Sequence, residues 1–215
     1  MGALPQAVRR ARPVTARTAA QPAEAGGLIG PNAILQLVPV LDRAGGAALR
    51  EAVMDAAGLR TLPDGTAMIA EAEAARLHQA LRRVAPGRAP ELAREAGRLT
   101  GDYILAHRIP ALAHRVLKAL PAALSAPLLT RAIAQHAWTF AGSGRFEVVS
   151  RRPLTFAIHD NPLVRGEHAD HCLCYWHAAV FERLFRVLVS TRAEVRETAC
   201  AGAGADACRF EVRFG

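Results

Sequence analysis

The spacing of apolar and polar positions divides the chain into two textures. From Leu28 to Val40 apolar residues are dense, up to a break at Pro39. Ala47–Ala57 has the pattern of a short helix stopped by Gly58. Leu62-Pro-Asp-Gly65 is a turn signal. Ala70–Val84 carries its charges on one face, as a half-buried helix does, and Pro86-Gly87 closes it. Pro90 suits the first turn of a further helix, where its missing N–H is not needed, and that helix reaches about Ile109. Ala111–Leu120 and Leu128–Phe140 follow, the second entered behind Ser125-Ala-Pro127, a cap-like sequence.

Beyond residue 144 the period becomes that of strands. Arg145–Val149 and Leu154–Ile158 are short and β-rich, and Arg151-Arg152-Pro153 joins them as a hairpin. Cys174–Val189 is a helix apolar nearly all round, which predicts burial. Glu194–Cys200 and Cys208–Phe214 flank a Gly/Ala/Asp loop as a second hairpin. In its last strand Phe210, Val212 and Phe214 alternate with Arg209, Glu211 and Arg213, giving one dry and one wet face. A helical first half followed by hairpin, helix and hairpin predicts an α+β fold, an antiparallel β-sheet of two hairpins flanked by helices.

A chain of 215 residues that is 51% hydrophobic can build one domain with a sizeable core over 28–215. Residues 1–27 hold Arg9, Arg10, Arg12 and Arg17 among Ala, Pro, Thr and Gln. They lack the apolar stretch of a secretory signal and predict a disordered basic arm. The net charge is +8, but the basic residues are scattered and do not interleave with aromatics, which argues against nucleic acid as a partner. Such a surface suits an anionic ligand or an anionic membrane face. With no signal and no run of about 18 apolar residues, the expectation is a cytoplasmic protein with reduced thiols. Peripheral contact with a photosynthetic membrane and a homodimer are both compatible with the sequence.

All four cysteines, Cys172, Cys174, Cys200 and Cys208, fall in the last 44 residues. Clustered thiols in a reducing compartment point to metal or reactivity rather than to disulfides. Glu197, Cys200 and Cys208 form E-x2-C-x7-C on the second hairpin, with Glu197 on an inward face, where a carboxylate is costly unless paired or metal-bound. Cys174, at the start of the buried helix, is within reach as a fourth ligand. The spacing alone does not separate a metal site from cysteines packed as small hydrophobes.

The stretch from Cys174 through Glu197, Cys200 and Cys208 resembles the 4-vinyl-reductase domain family. Its effector-sensing members, in phenol-responsive transcription regulators, hold zinc with these residue types at similar spacing. Five further segments resemble the bacteriochlorophyll-biosynthesis branch of that family. They are Gly30-Pro-Asn-Ala-Ile-Leu-Gln-Leu37, Thr100-Gly-Asp-Tyr-Ile-Leu-Ala-His-Arg-Ile-Pro110, His136-Ala-Trp-Thr-Phe-Ala-Gly-Ser-Gly144, Asp160-Asn-Pro-Leu-Val-Arg-Gly166 and Cys174-Tyr-Trp-His-Ala-Ala-Val-Phe-Glu-Arg-Leu-Phe185. The resemblance covers almost the whole chain from Leu28. It implies a fold shared with small-molecule sensors and vesicle-tethering (TRAPP) subunits, enclosing a hydrophobic pocket. It also implies a structural zinc on Cys174, Glu197, Cys200 and Cys208, since four protein ligands leave no open position.

The family name implies reduction of a vinyl group, yet the sequence has no G-x-G-x-x-G between strand and helix and no four-cysteine iron–sulfur spacing. No NAD or flavin site is recognisable. The expected role is therefore to bind a chlorophyll-precursor tetrapyrrole as a carrier or accessory factor alongside other enzymes of the pathway. The alternatives are a true vinyl reductase using an external reductant and a stand-alone sensor module. A tetrapyrrole needs an apolar slot, stacking aromatics and an axial ligand for its magnesium. Read as one helix, Leu128–Phe140 puts His136 on the face of Leu129, Ile133 and Phe140, and Phe156 and Ile158 face the same space from the first hairpin. Trp138 and Trp176 are stacking candidates, and Tyr103 with His107 forms a second patch. A lone histidine on an apolar face is more often a satisfied core residue, and each aromatic has the same alternative.

Overall fold

The structure is a computed structural model and describes residues 26–214. The arm expected at 1–27 lies outside the described residues except for Gly26 and Gly27. Two short strands, β1 (Leu28–Ile29) and β2 (Ile69–Ala70), pair antiparallel around α1 (Asn32–Leu35) and α2 (Val38–Ala57). The helices α3 (Glu71–Val84), α4 (Ala89–His107), α5 (Ala111–Ala119), α6 (Ala122–Gln135) and α7 (Trp138–Ala141) follow. The hairpin of β3 (Arg145–Arg151) and β4 (Leu154–His159) leads through a 3-10 turn at Pro162–Val164 to α8 (Tyr175–Leu188). The second hairpin pairs β5 (Ala193–Ala199) with β6 (Cys208–Phe214). The hairpins join through β4 and β6 into one antiparallel sheet of order β3-β4-β6-β5, so the fold is the α+β arrangement expected.

Two local readings change. Pro39 does not break the chain; it sits in the first turn of α2, where a proline fits, and the helix turns later, at Gly46 (φ 67°, ψ −165°). The helix expected over Leu128–Phe140 instead starts behind Pro121 and ends at Gln135. Pro127 is carried inside it, and Ser125 is no cap, since its hydroxyl donates to the Pro121 carbonyl at 3.3 Å. His136 leaves the helix at φ −109°, ψ 14°, so α7 is a separate turn with its own orientation.

The sheet turns one face inward. Its register sets Leu154 opposite Val212, Phe156 opposite Phe210 and Ile158 opposite Cys208. All six side chains are buried. The helix α8 lies on this face, with the Phe181 ring 5.3 Å from that of Phe156 and 5.4 Å from that of Phe210. Each fully buried phenylalanine contributes on the order of 2 kcal/mol. The opposite side of α8 is covered by α4, at a spacing only glycine permits: a β-carbon on Gly97 would lie 2.3 Å from the Trp176 carbonyl oxygen. Polar groups fix the register of this contact. The Trp176 indole donates to Thr100 Oγ1 at 3.1 Å, and Arg183 pairs with Asp102 at 2.6 Å.

A buried ion pair ties the N-terminal helices to the segment between β4 and α8. Glu71, at the start of α3, accepts from the Ser143 amide (2.6 Å), the Ser143 hydroxyl (2.7 Å) and Arg165 (3.0 Å). Burial alone would push its carboxyl up; these donors outweigh that and hold it below the usual carboxylate range. Arg82 adds a second tie, to Glu167 at 2.7 Å and the Leu163 carbonyl at 2.7 Å.

Gly97→Val should force α4 and α8 apart and lower the unfolding free energy by about 2–3 kcal/mol, the cost of overpacking a closed contact. Chemical denaturation compared with Ala106→Val, on the exposed side of α4, checks this.

Candidate metal centre

Three elements converge on one buried point at the end of the sheet. Cys174 is the residue from which α8 starts, Glu197 lies on the inner face of β5, and Cys200 and Cys208 stand at either end of the loop between β5 and β6. A register shift between Glu197 and Ala199 precedes Cys200. Such a bulge re-aims the residues next to it. The ligand atoms of all four residues lie within 4.8 Å of one another.

The sulfur separations test the fit. Cys174 Sγ is 3.3 Å from Cys208 Sγ and 4.0 Å from Cys200 Sγ, and Cys200 and Cys208 are 4.0 Å apart. Tetrahedral thiolates at metal–sulfur bonds of about 2.3 Å stand about 3.8 Å apart, which these values bracket. Glu197 Oε2 accepts from the Cys174 amide at 2.7 Å, while its buried Oε1 has no hydrogen-bond partner. An orphaned carboxylate oxygen aimed into three sulfurs is what a bound cation would satisfy. Without one, burial and then the neighbouring Cys200 push the Glu197 carboxyl up to about 8, and burial pushes the Cys174 thiol up. The cluster can therefore hold a metal ion, and four protein ligands close its coordination.

Asn161 is the residue the sequence reading missed. Its side-chain amide donates to Cys174 Sγ at 3.3 Å and Cys208 Sγ at 3.6 Å, while its Oδ1 accepts from the Leu163 amide at 3.1 Å. The Ala201 amide also donates to Cys208 Sγ, at 3.5 Å. Such donors stabilise thiolate charge and orient ligands. The only sequence signal was an Asn-Pro pair just after a strand, which reads as a turn. Cys172 lies outside the cluster and is half-buried.

The other expected site residues do not meet in a cavity. Phe140, Phe156, Ile158 and Trp176 are all buried. Their space is filled: Phe140 stacks edge-on to Phe146 and Phe181, and Trp176 spans α8 and α4. His136 and Trp138 are exposed, because the helix ends before them, and His136 is thus not on the inward face expected of it. Tyr103 and His107 stack at 4.5 Å on the outer side of α4, away from that cluster. The buried histidines are His78 and His177, which bond the carbonyls of Ala33 (3.0 Å) and Phe140 (3.1 Å). Burial lowers their pKa values to about 3 and about 4, which keeps both neutral. Two open clefts of about 580 and 590 Å³ lie elsewhere, one against Arg60, Asp64 and Arg76 and one beside Lys118, Arg183 and Arg186.

Comparison with known proteins agrees with this geometry. Residues 154–214, which contain all four ligands of the cluster, match the 4-vinyl-reductase domain. The crystal structure of an H-NOX protein from S. oneidensis in the Fe(II)NO ligation state has the same fold, with a TM-score of 0.54 at 10% identity over 87% of this chain and 99% of that one. So does the phenol-responsive sensory domain of the transcription activator PoxR with phenol, at 0.50 and 16% over 77% and 90%. This is thus a 4-vinyl-reductase-domain protein of the sensor-like α+β fold. More narrowly, it is 56% identical over 184 residues to the Bacteriochlorophyll synthase 23 kDa chain of Cereibacter sphaeroides, covering 86% of this chain and 89% of that one. The corresponding chain of Rhodobacter capsulatus is 52% identical over 85% of each. The chain belongs to the family of these 23 kDa chains.

Cys200→Ala should lower stability by several kcal/mol if the metal is in place, since binding energy at a closed site is folding energy. Asn161→Ala should weaken metal retention about 10-fold or more while sparing the ligands, measured by chelator competition. The pH dependence has a definite sign. Glu197 has a folded-state pKa above its ordinary value of 4.5, so the metal-free fold is favoured by protonation and loses stability as pH rises from there toward about 8. Metal binding needs the deprotonated ligands, so the gap in Tm between loaded and metal-free protein should widen over that range and close on acidification.

Proposed function

We propose that this protein acts in bacteriochlorophyll biosynthesis as a carrier or accessory factor that binds a magnesium tetrapyrrole intermediate and passes it between enzymes of the pathway in the cytoplasm. Kinship with the 23 kDa chains, across most of both lengths, carries the pathway assignment. The geometry supports a role in binding rather than in catalysis. The metal cluster has no coordination position left for water or substrate, and the two buried histidines are neutral and engaged with backbone carbonyls. The metal is zinc on Cys174, Glu197, Cys200 and Cys208: a tetrahedral set of three thiolates and one carboxylate suits it better than harder cations. It pins α8 to the second hairpin. Elemental analysis of protein purified without added metal should give about one zinc per chain.

Of the residues expected to bind the pigment, His136, Trp138, Tyr103 and His107 are accessible without opening the core. His136 is the proposed axial ligand and Trp138, two residues on, the stacking partner. Phe140, Phe156, Ile158 and Trp176 form the packed layers beneath and would reach a pigment only if α7 lifted from the sheet. Wild type mixed with a divinyl magnesium tetrapyrrole should shift its Soret band without losing the vinyl group, with or without NADPH. Loss of the vinyl group would establish a reductase instead. His136→Ala should weaken binding at least tenfold, about 1.4 kcal/mol, with zinc content and melting unchanged. Unchanged affinity would remove His136 from the site.

A further inference from the structure

The stretch between Asp102 and Glu147 contains no acidic residue. It does contain Arg108, Arg115, Lys118 and Arg131, all exposed and with no acidic partner among the described residues. Elsewhere arginines are commonly paired, as Arg43 is with Glu95, Arg82 with Glu167 and Arg183 with Asp102. The same stretch carries most of the large apolar side chains that the fold leaves in water. Leu112 (66% exposed) and Val116 lie one turn apart on α5. Leu124 (56%) and Leu128 (50%) lie one turn apart on α6, and Trp138 (55%) follows on α7. The two helices are successive, joined by Leu120-Pro121, and pack on each other. Isolated exposed leucines are ordinary, but paired turns of them on adjoining helices, in a region of unopposed positive charge, are not.

We propose that the α5–α6 hairpin, with Trp138, docks this protein on an anionic lipid surface. The chemistry matches each part of such a surface. Leucines one turn apart enter the acyl boundary, basic side chains meet the headgroup charge, and an exposed tryptophan suits the interfacial layer. No described helix is long and apolar enough to cross a membrane, so the contact is peripheral. A second copy of this chain would present the same unopposed cations to itself, which disfavours self-association through this face. The proposal stands independently of the pigment reading.

Flotation of the full-length protein with vesicles tests it. Vesicles of phosphatidylcholine containing phosphatidylglycerol should bind it at least tenfold more tightly than phosphatidylcholine alone, and high salt should release it. Trp138 fluorescence should shift to the blue on binding, whereas Trp176, already buried, contributes no change. Leu124→Ser with Leu128→Ser should reduce binding at least tenfold, and so should Arg115→Glu with Lys118→Glu, with melting temperatures unchanged. Leu62→Ser, an exposed leucine on a distant loop, should have no effect. Equal binding to both vesicle types, no binding to either, or equal loss with Leu62→Ser would overturn the proposal. So would light scattering that shows a dimer abolished by the Leu124/Leu128 pair, because the face would then belong to a second copy.

Discussion

The helix Tyr175–Leu188 is covered on two sides, and most of the fold follows from that. A helix packed against both a sheet and another helix cannot spare a polar stripe, which is why its sequence is apolar nearly all round. The sheet meets it with aromatics from adjoining strands, and α4 meets it with glycines, because a helix already in contact with the sheet admits a second neighbour only at close range. The remaining polar groups at these contacts must then be answered one by one, as Trp176 is by Thr100 and Arg183 by Asp102.

That placement also creates the metal centre. Because α8 is pressed onto the inner face of the sheet, its first residue arrives beside the loop of the second hairpin, and the thiol of Cys174 completes a set the hairpin only begins. Glu197 is the informative member. It shares the inner face with Val195, one oxygen is taken by the Cys174 amide, and the other has nothing. A carboxylate in that position is a liability to the apoprotein and an asset to the loaded one.

How much of this was legible in the sequence follows the range of the interactions. The hairpins and the buried helix were visible because alternation and all-round apolarity are local signals. The four ligands were visible through a family resemblance, not through C-x7-C, which is too common to decide anything. The pocket was misjudged for a local reason: reading Ser125-Ala-Pro127 as a helix entry carried one helical period past Gln135 and turned His136 inward. Pro121 was the real entry, and a proline tolerated in mid-helix is not distinguishable by pattern from one that starts a helix. Glu71 and Arg165 were invisible because they are 94 residues apart and each looks like an ordinary surface charge. Asn161 was hidden in the same way, by a turn motif that explained it too easily.

The family match begins at Leu154, yet nothing in the packing divides there. Cutting the chain at that residue would remove the hairpin partner of β4 and bare its backbone as a sticky edge. It would also unroof Trp176, Val180 and the glycine-lined side of α8, and strand Arg165 and Glu167 without Glu71 and Arg82. The unit that the family shares is thus a module of inheritance rather than of folding. The helical half before it is the lid without which the shared half has no dry interior, and any protein that carries the shared half without these helices must supply another way of closing the same box.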